Sequence, residues 1–220
     1  MVQPSTAEFP SPDCELCPRL ARFRQQNRLA YPSFFNAPVP SFGDDLENVR
    51  LLIVGMAPGL KGANCTGRPF TGDYAGDLLY ETLLKYNLAS GNYDKHRDDG
   101  LELHKCLITN AVKCVPPQNK LTGPEVNTCN GFLASEIRNF PNLRCILVLG
   151  LLAHGATLKA LGEKKATYKF AHNAQHTLPG GIVLVNSYHC SRYNTNTGRL
   201  TTPMFNDVFE GIKLLLDPAL

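Results

Sequence analysis

Nothing in this chain of 220 residues offers a membrane span: no apolar run approaches the roughly 20 residues that crossing a bilayer requires. The stretch from Met1 to Cys14 has neither a basic cap nor an apolar core, so a secretory signal is not expected. Strong charge of either sign is missing too. A net charge of +3 permits a nucleic-acid partner without demanding one. There is no internal repeat and no low-complexity linker, so one domain spanning residues 1–220 is the default, and a monomer with it. No G-x-G-x-x-G follows a strand and no Gly-Lys-Ser/Thr closes a P-loop, which removes the common nucleotide-cofactor folds. The expected location is the cytoplasm. Eight cysteines in a chain that is not exported read as metal ligands and buried thiols rather than disulfides. The sequon at Asn64-Cys65-Thr66 is then accidental.

Four of those cysteines are arranged for a metal. Cys14 and Cys17 form a Cys-x2-Cys corner, and Cys114 and Cys129 lie far downstream around a Pro-Pro turn and a helix start. Four thiolates from two distant segments suit an iron–sulfur cluster or an all-cysteine zinc site. Either would pin an N-terminal arm, about residues 1–45 and rich in Pro and Phe, onto the body of the fold.

The body alternates strands and helices. Leu51–Gly55, Cys106–Val112, Cys145–Leu149 and Ile182–Val185 are short apolar runs of the kind buried on both faces of a parallel sheet. Gly76–Leu88, Leu151–Leu161 and Pro203–Leu216 have helical spacing. Thr122-Gly-Pro-Glu125 reads as a capping box opening another helix, which carries Cys129, Leu133 and Ile137 on one face. The expected fold is α/β, a three-layer α/β/α sandwich around a mainly parallel four-stranded sheet. Ligands bind such folds at the C-terminal ends of the strands.

The three most unusual polar segments fall at those ends. The first runs from Gly55-Met-Ala-Pro-Gly59 through Lys61 to Thr66-Gly-Arg-Pro-Phe-Thr-Gly-Asp73. Its glycines let backbone approach a planar or anionic ligand, although Asp73 also reads as a helix N-cap and Phe70 as a core residue. The second holds Thr109-Asn110 and then Lys113-Cys-Val-Pro-Pro117. Asn110 is either a satisfied turn residue or an amide presented to a base edge. The third is Ser187-Tyr-His189-Cys-Ser-Arg-Tyr-Asn-Thr-Asn-Thr-Gly-Arg-Leu-Thr201, where Ser191, Arg192, Asn194 and Arg199 suit phosphate contacts. The lysines of the 159–169 run read as a solvated face.

Together these motifs resemble the iron–sulfur uracil-DNA glycosylases, in particular the type B (family 5) branch, over nearly the whole chain and in the same order. The resemblance implies hydrolysis of the N-glycosidic bond of deoxyuridine in DNA, leaving an abasic site. It implies a [4Fe–4S] cluster on Cys14, Cys17, Cys114 and Cys129, with zinc as the alternative. Phe70 would stack on the extruded base, Asn110 would pair with its polar edge, and His189 would donate to the oxygen where negative charge gathers. Many uracil glycosylases carry an acid or amide just before the Pro of the first motif. Here that residue is Ala57, so the water-orienting role passes to Asp73. Gly55, Ala57, Gly59 and Asn194 would shape the pocket, and the small side chains predict tolerance for hypoxanthine and exocyclic cytosine adducts. Lys61, Arg68, Ser191, Arg192 and Arg199 would contact DNA, with Tyr193 as a wedge. The type A branch would want an acid where this chain has Met56. A zinc protein that binds nucleic acid without chemistry is the competing class, and an electron carrier is disfavoured by the lack of a tight ferredoxin cysteine run.

Overall fold

The computed structural model describes residues 9–216. Helix α1 (Pro18–Ala30) precedes β1 (Phe42–Gly43) and β2 (Leu51–Gly55). The short α2 (Ala63–Thr66) and α3 (Tyr74–Lys85) follow, then a small hairpin, β3 (Ala89–Ser90) with β4 (Glu102–Leu103). Next come β5 (Cys106–Asn110), α4 (Gly123–Arg138), β6 (Cys145–Leu149) and α5 (Leu151–Ala160). The chain closes with β7 (Gln175–Thr177), β8 (Val183–Ser187), the single-turn α6 (Arg192–Asn196) and α7 (Thr202–Leu216).

Strand order is β1-β5-β2-β6-β8-β7. The central four strands are parallel, in agreement with the four-stranded expectation. Two short antiparallel strands, β1 and β7, are added at the edges. Both edge strands are too short to show a hydrophobic period, which is why the sequence hides them.

The layers follow from side-chain alternation. Leu51, Ile53, Cys145 and Leu147 point to one face, where α3 and α7 cover them. Leu52, Val54, Ile146 and Val148 point to the other, under α4 and α5. Each parallel strand is therefore buried on both faces, and each fully buried Leu or Ile contributes about 1.5–3 kcal/mol. Cys106 and Cys145 are part of this core.

The N-terminal segment departs from an extended arm, because α1 occupies thirteen of its residues. The residues that α1 buries, Leu20, Ala21, Arg24 and Asn27, have helical spacing, but two are polar, so hydrophobic periodicity passes over them. A bidentate pair between Arg19 and Glu125, both bonds 2.7 Å, fastens α1 to α4. Glu125 also accepts from the Thr122 N–H at 2.8 Å, so the capping box and the inter-helix clasp share one carboxylate. No helix among the described residues is long and apolar enough to cross a membrane.

Candidate active site and cysteine centre

The strand ends converge on a cavity of about 700 Å³, within the ~300–1,000 Å³ usual for small-molecule sites. Met56 to Gly59, Phe70, Asp73, Asn110, His189, Ser191 and Arg192 all line it. Its floor depends on a glycine. A Cβ on Gly55 would lie 2.5 Å from Asn110 Oδ1 and 2.7 Å from Phe70 Cζ, so both side chains fold over this residue. Asn110 is the last residue of β5, in register with Gly55 on β2, and is 3% exposed. Phe70 holds a left-handed φ of +53°, a conformation uncommon for a bulky residue. Its ring stacks on His189 with 5.9 Å between centroids.

Asp73 uses its two oxygens differently. Oδ1 accepts from the Ala75 N–H at 3.1 Å and caps α3, as its place in the sequence suggests. Oδ2 lies over the loop: a Cβ on Gly62 would sit 2.4 Å from it and one on Gly59 3.1 Å. The glycines make room for a carboxylate. Burial pushes the Asp73 carboxyl above its ordinary 3.8, against the backbone N–H groups of Gly76 and Ala75, which favour its charged form. Burial pushes the His189 imidazole down to about 4, so the ring is neutral at pH 7 and retains an N–H to donate. The loop behind is fixed by the Asn194 amide, which donates to the His189 carbonyl at 2.8 Å, and by the Cys190 thiol, which donates to the Ala75 carbonyl at 3.3 Å.

At the other side of the loop following Asn110, Cys14, Cys17, Cys114 and Cys129 line a second, small cavity. Burial and neighbouring thiols push Cys17 to about 11 and Cys114 to about 12, so a group that favours thiolates is needed to ionise them. Among the described residues no three His, Cys, Asp or Glu side chains are drawn closely enough about one point to hold a single metal ion. Arg24 borders the same cavity, donating from Nη1 to Cys114 Sγ at 3.8 Å and from Nη2 to the Cys14 carbonyl at 2.9 Å. Its Nε is buried with no hydrogen-bond partner. A buried cation with an unmet donor beside four cysteines fits an anionic sulfur-rich group.

Comparison with known proteins gives the decisive observation. Residues 40–213 match the profile of the family described as the uracil DNA glycosylase superfamily. The chain belongs to that superfamily. Two relatives, each named "Type-5 uracil-DNA glycosylase", come from Thermus thermophilus and Pyrobaculum aerophilum. The first is 42% identical, with 92% of this chain and 93% of the relative covered. The second is 38% identical, with 89% and 86% covered. A "Type-4 uracil-DNA glycosylase" of Thermotoga maritima is 31% identical over 76% of this chain and 78% of its own. Higher identity over a longer span agrees with the type B resemblance.

Against this family background, the structure sorts the residues that the sequence singled out. Asp73, His189, Ala57, Gly59, Phe70, Asn110, Ser191 and Arg192 meet in one cavity. Gly55 lies beneath it, and Asn194 acts from behind His189. Lys61, Arg192, Tyr193 and Arg199 are exposed, with Arg192 over the Tyr74 ring at 5.2 Å and Arg199 over Tyr188 at 4.7 Å.

Arg68 is a correction. It is 3% exposed and pairs with Asp99 inside the protein, out of reach of a phosphate backbone. Sequence reasoning also missed the end of β6. Gly150, at φ +99°, turns the chain so that Leu151 and Leu152, 63% and 57% exposed, border the cavity. The signal was present, since the strand-end rule applies to β6 as to the others.

Proposed function

We propose that this protein is a monofunctional DNA glycosylase that hydrolyses the N-glycosidic bond of deoxyuridine in DNA, as the names of its type-5 relatives suggest. The convergence of Phe70, Asn110, His189 and Asp73 in one cavity carries this reading. The extruded base lies against Phe70, and Asn110 presents its amide to the base's polar edge. As the bond between C1′ and the base nitrogen lengthens, its electron pair moves into the base. The neutral His189 N–H then donates to the oxygen that gathers the charge, an interaction stronger in the transition state than in the ground state. Water adds to C1′ and releases its proton toward Asp73 Oδ2, whose elevated proton affinity suits a base. Ala57, in the cavity wall, can neither orient nor deprotonate that water.

For the cysteine centre, a [4Fe–4S] cluster held by Cys14, Cys17, Cys114 and Cys129 is the reading we favour. The buried Arg24 guanidinium, with its unmet donor beside the four cysteines, suits the negative charge that a thiolate-held cluster would carry. The cluster's role is structural, tying α1 to the loop after β5 and to α4; hydrolysis transfers no electrons.

The test is base release from duplexes carrying uracil, hypoxanthine or an exocyclic cytosine adduct. Release of uracil together with at least one larger base is expected from the roomy cavity. Uracil alone would remove the broad specificity. No release by protein containing its metal centre would favour the non-catalytic binding protein.

A further inference from the structure

Phe70 is held by a clamp that no cavity residue explains. Its φ of +53° is costly for an aromatic residue and persists only if its surroundings dictate it. Each residue of the turn is anchored. Arg68 Nε donates to Thr71 Oγ1 at 2.7 Å, Tyr80 OH to the Pro69 carbonyl at 2.6 Å, and Tyr93 OH to the Phe70 carbonyl at 3.3 Å. That carbonyl also lies where a side chain on Gly76 would collide, 1.8 Å from its Cβ position.

Behind the turn, the Arg68 fork meets Asp99 through two 2.7 Å bonds, with the two side chains 3% and 0% exposed. Its guanidinium lies 4.9–5.8 Å from the ring centroids of Phe42, Tyr80 and Tyr93. Asp99 also accepts from the backbone of Asp94 and Leu101, at 2.9 and 3.1 Å. Its carboxylate is thus bonded on every side and fixed to the loop between β3 and β4. A buried ion pair is weak evidence for stability, because well-packed apolar residues often serve as well. Its directional bonds supply geometry that apolar packing does not.

We propose that Arg68 and Asp99 are positioning residues that hold Phe70 in its left-handed conformation over Gly55, so that its ring faces the extruded base. This deepens the glycosylase reading and rests on it. The β3–β4 loop, which does not border the cavity, thereby becomes part of the recognition apparatus.

A double-mutant cycle under single-turnover conditions tests the coupling, using a uracil duplex and the variants Arg68→Lys, Phe70→Leu and the pair together. Arg68→Lys alone should slow release about 10- to 100-fold, the scale of a misplaced reacting group. In the Phe70→Leu background it should cost less than about threefold, because the ring it positions is gone. Equal costs in both backgrounds, or no cost in the wild type, would overturn the proposal. Should Arg68→Lys fail to fold, Tyr93→Phe removes only the hydroxyl on the Phe70 carbonyl and carries the same cycle. Hydrogen exchange at the Thr71 amide, which donates to the Arg68 carbonyl at 3.3 Å, needs no turnover. Asp99→Asn should speed it roughly tenfold. Faster exchange in Asp99→Asn, with no base released even by the wild type, would leave the clamp standing and refute the glycosylase reading. Unchanged exchange would refute the clamp.

Discussion

Replacing Asp73 by Asn separates the helix cap that this residue makes from the proton-accepting role proposed for it. Oδ1 caps α3 through the Ala75 N–H, and Asn caps helices about as well as Asp. The variant should therefore melt within about 0.5 kcal/mol of the wild type. Oδ2, lodged over Gly59 and Gly62, is the oxygen that can take a proton, and an amide there cannot. Removing a general base costs about 10²–10⁴ in rate. Asp73→Ala should lose the same rate and also the cap, about 1 kcal/mol of stability. Gly62→Ala provides a third arm: its Cβ would sit 2.4 Å from Oδ2 and 2.8 Å from Cγ, so the whole carboxylate must shift and both the rate and the cap should suffer. Thermal melts paired with single-turnover release on a uracil duplex read both quantities. An Asp73→Asn variant that keeps its rate, or loses it only in proportion to lost folded protein, would refute the proton-accepting role.

Because burial holds the Asp73 carboxyl above 3.8, the acid limb of the wild-type rate profile should lie at higher pH than an ordinary carboxylate gives, and Asp73→Asn should abolish that limb. His189, held near 4 in the fold against 6.5 when unfolded, binds its proton more readily in the unfolded chain. Its contribution to stability is intact above pH 6.5 and is lost as pH falls from 6.5 to 4; a melting series in which His189→Asn shows the same decline contradicts this. Arg192→Ala and Arg199→Ala should each reduce the slope of log binding against log salt by about 1, whereas Arg68→Lys, with its charge buried and conserved, should leave the slope unchanged. The metal centre is expected to absorb near 400 nm as purified, roughly where thiolate-to-iron charge transfer lies. Chelation or Cys114→Ala should bleach that band and loosen α1, measured by proteolysis near Pro18; a colourless protein with one zinc per chain would contradict the cluster.

The central sheet was legible because each of its four parallel strands opens with at least three consecutive apolar residues, and burial on both faces demands that composition. The cavity was legible because its polar residues stand at strand ends, where their types are uncommon. Helix α1 was not, since Arg24 and Asn27 occupy its buried face. Arg68 misled for a related reason. A surface arginine and a buried one look alike in sequence, and Asp99, 31 positions away, is joined to it only by the fold. Asp73 illustrates the opposite case: reading it as a cap and as a pocket carboxylate were both sound, because its two oxygens divide the tasks.

Free base detected by mass after the protein is incubated with a duplex carrying a single uracil, beside Asp73→Asn and His189→Ala, is the decisive measurement. The proposed glycosylase mechanism predicts uracil and an alkali-labile abasic strand from the wild type, with release reduced at least about 100-fold in each variant. Protein that retains its metal centre and binds the duplex, yet releases no uracil, would contradict it.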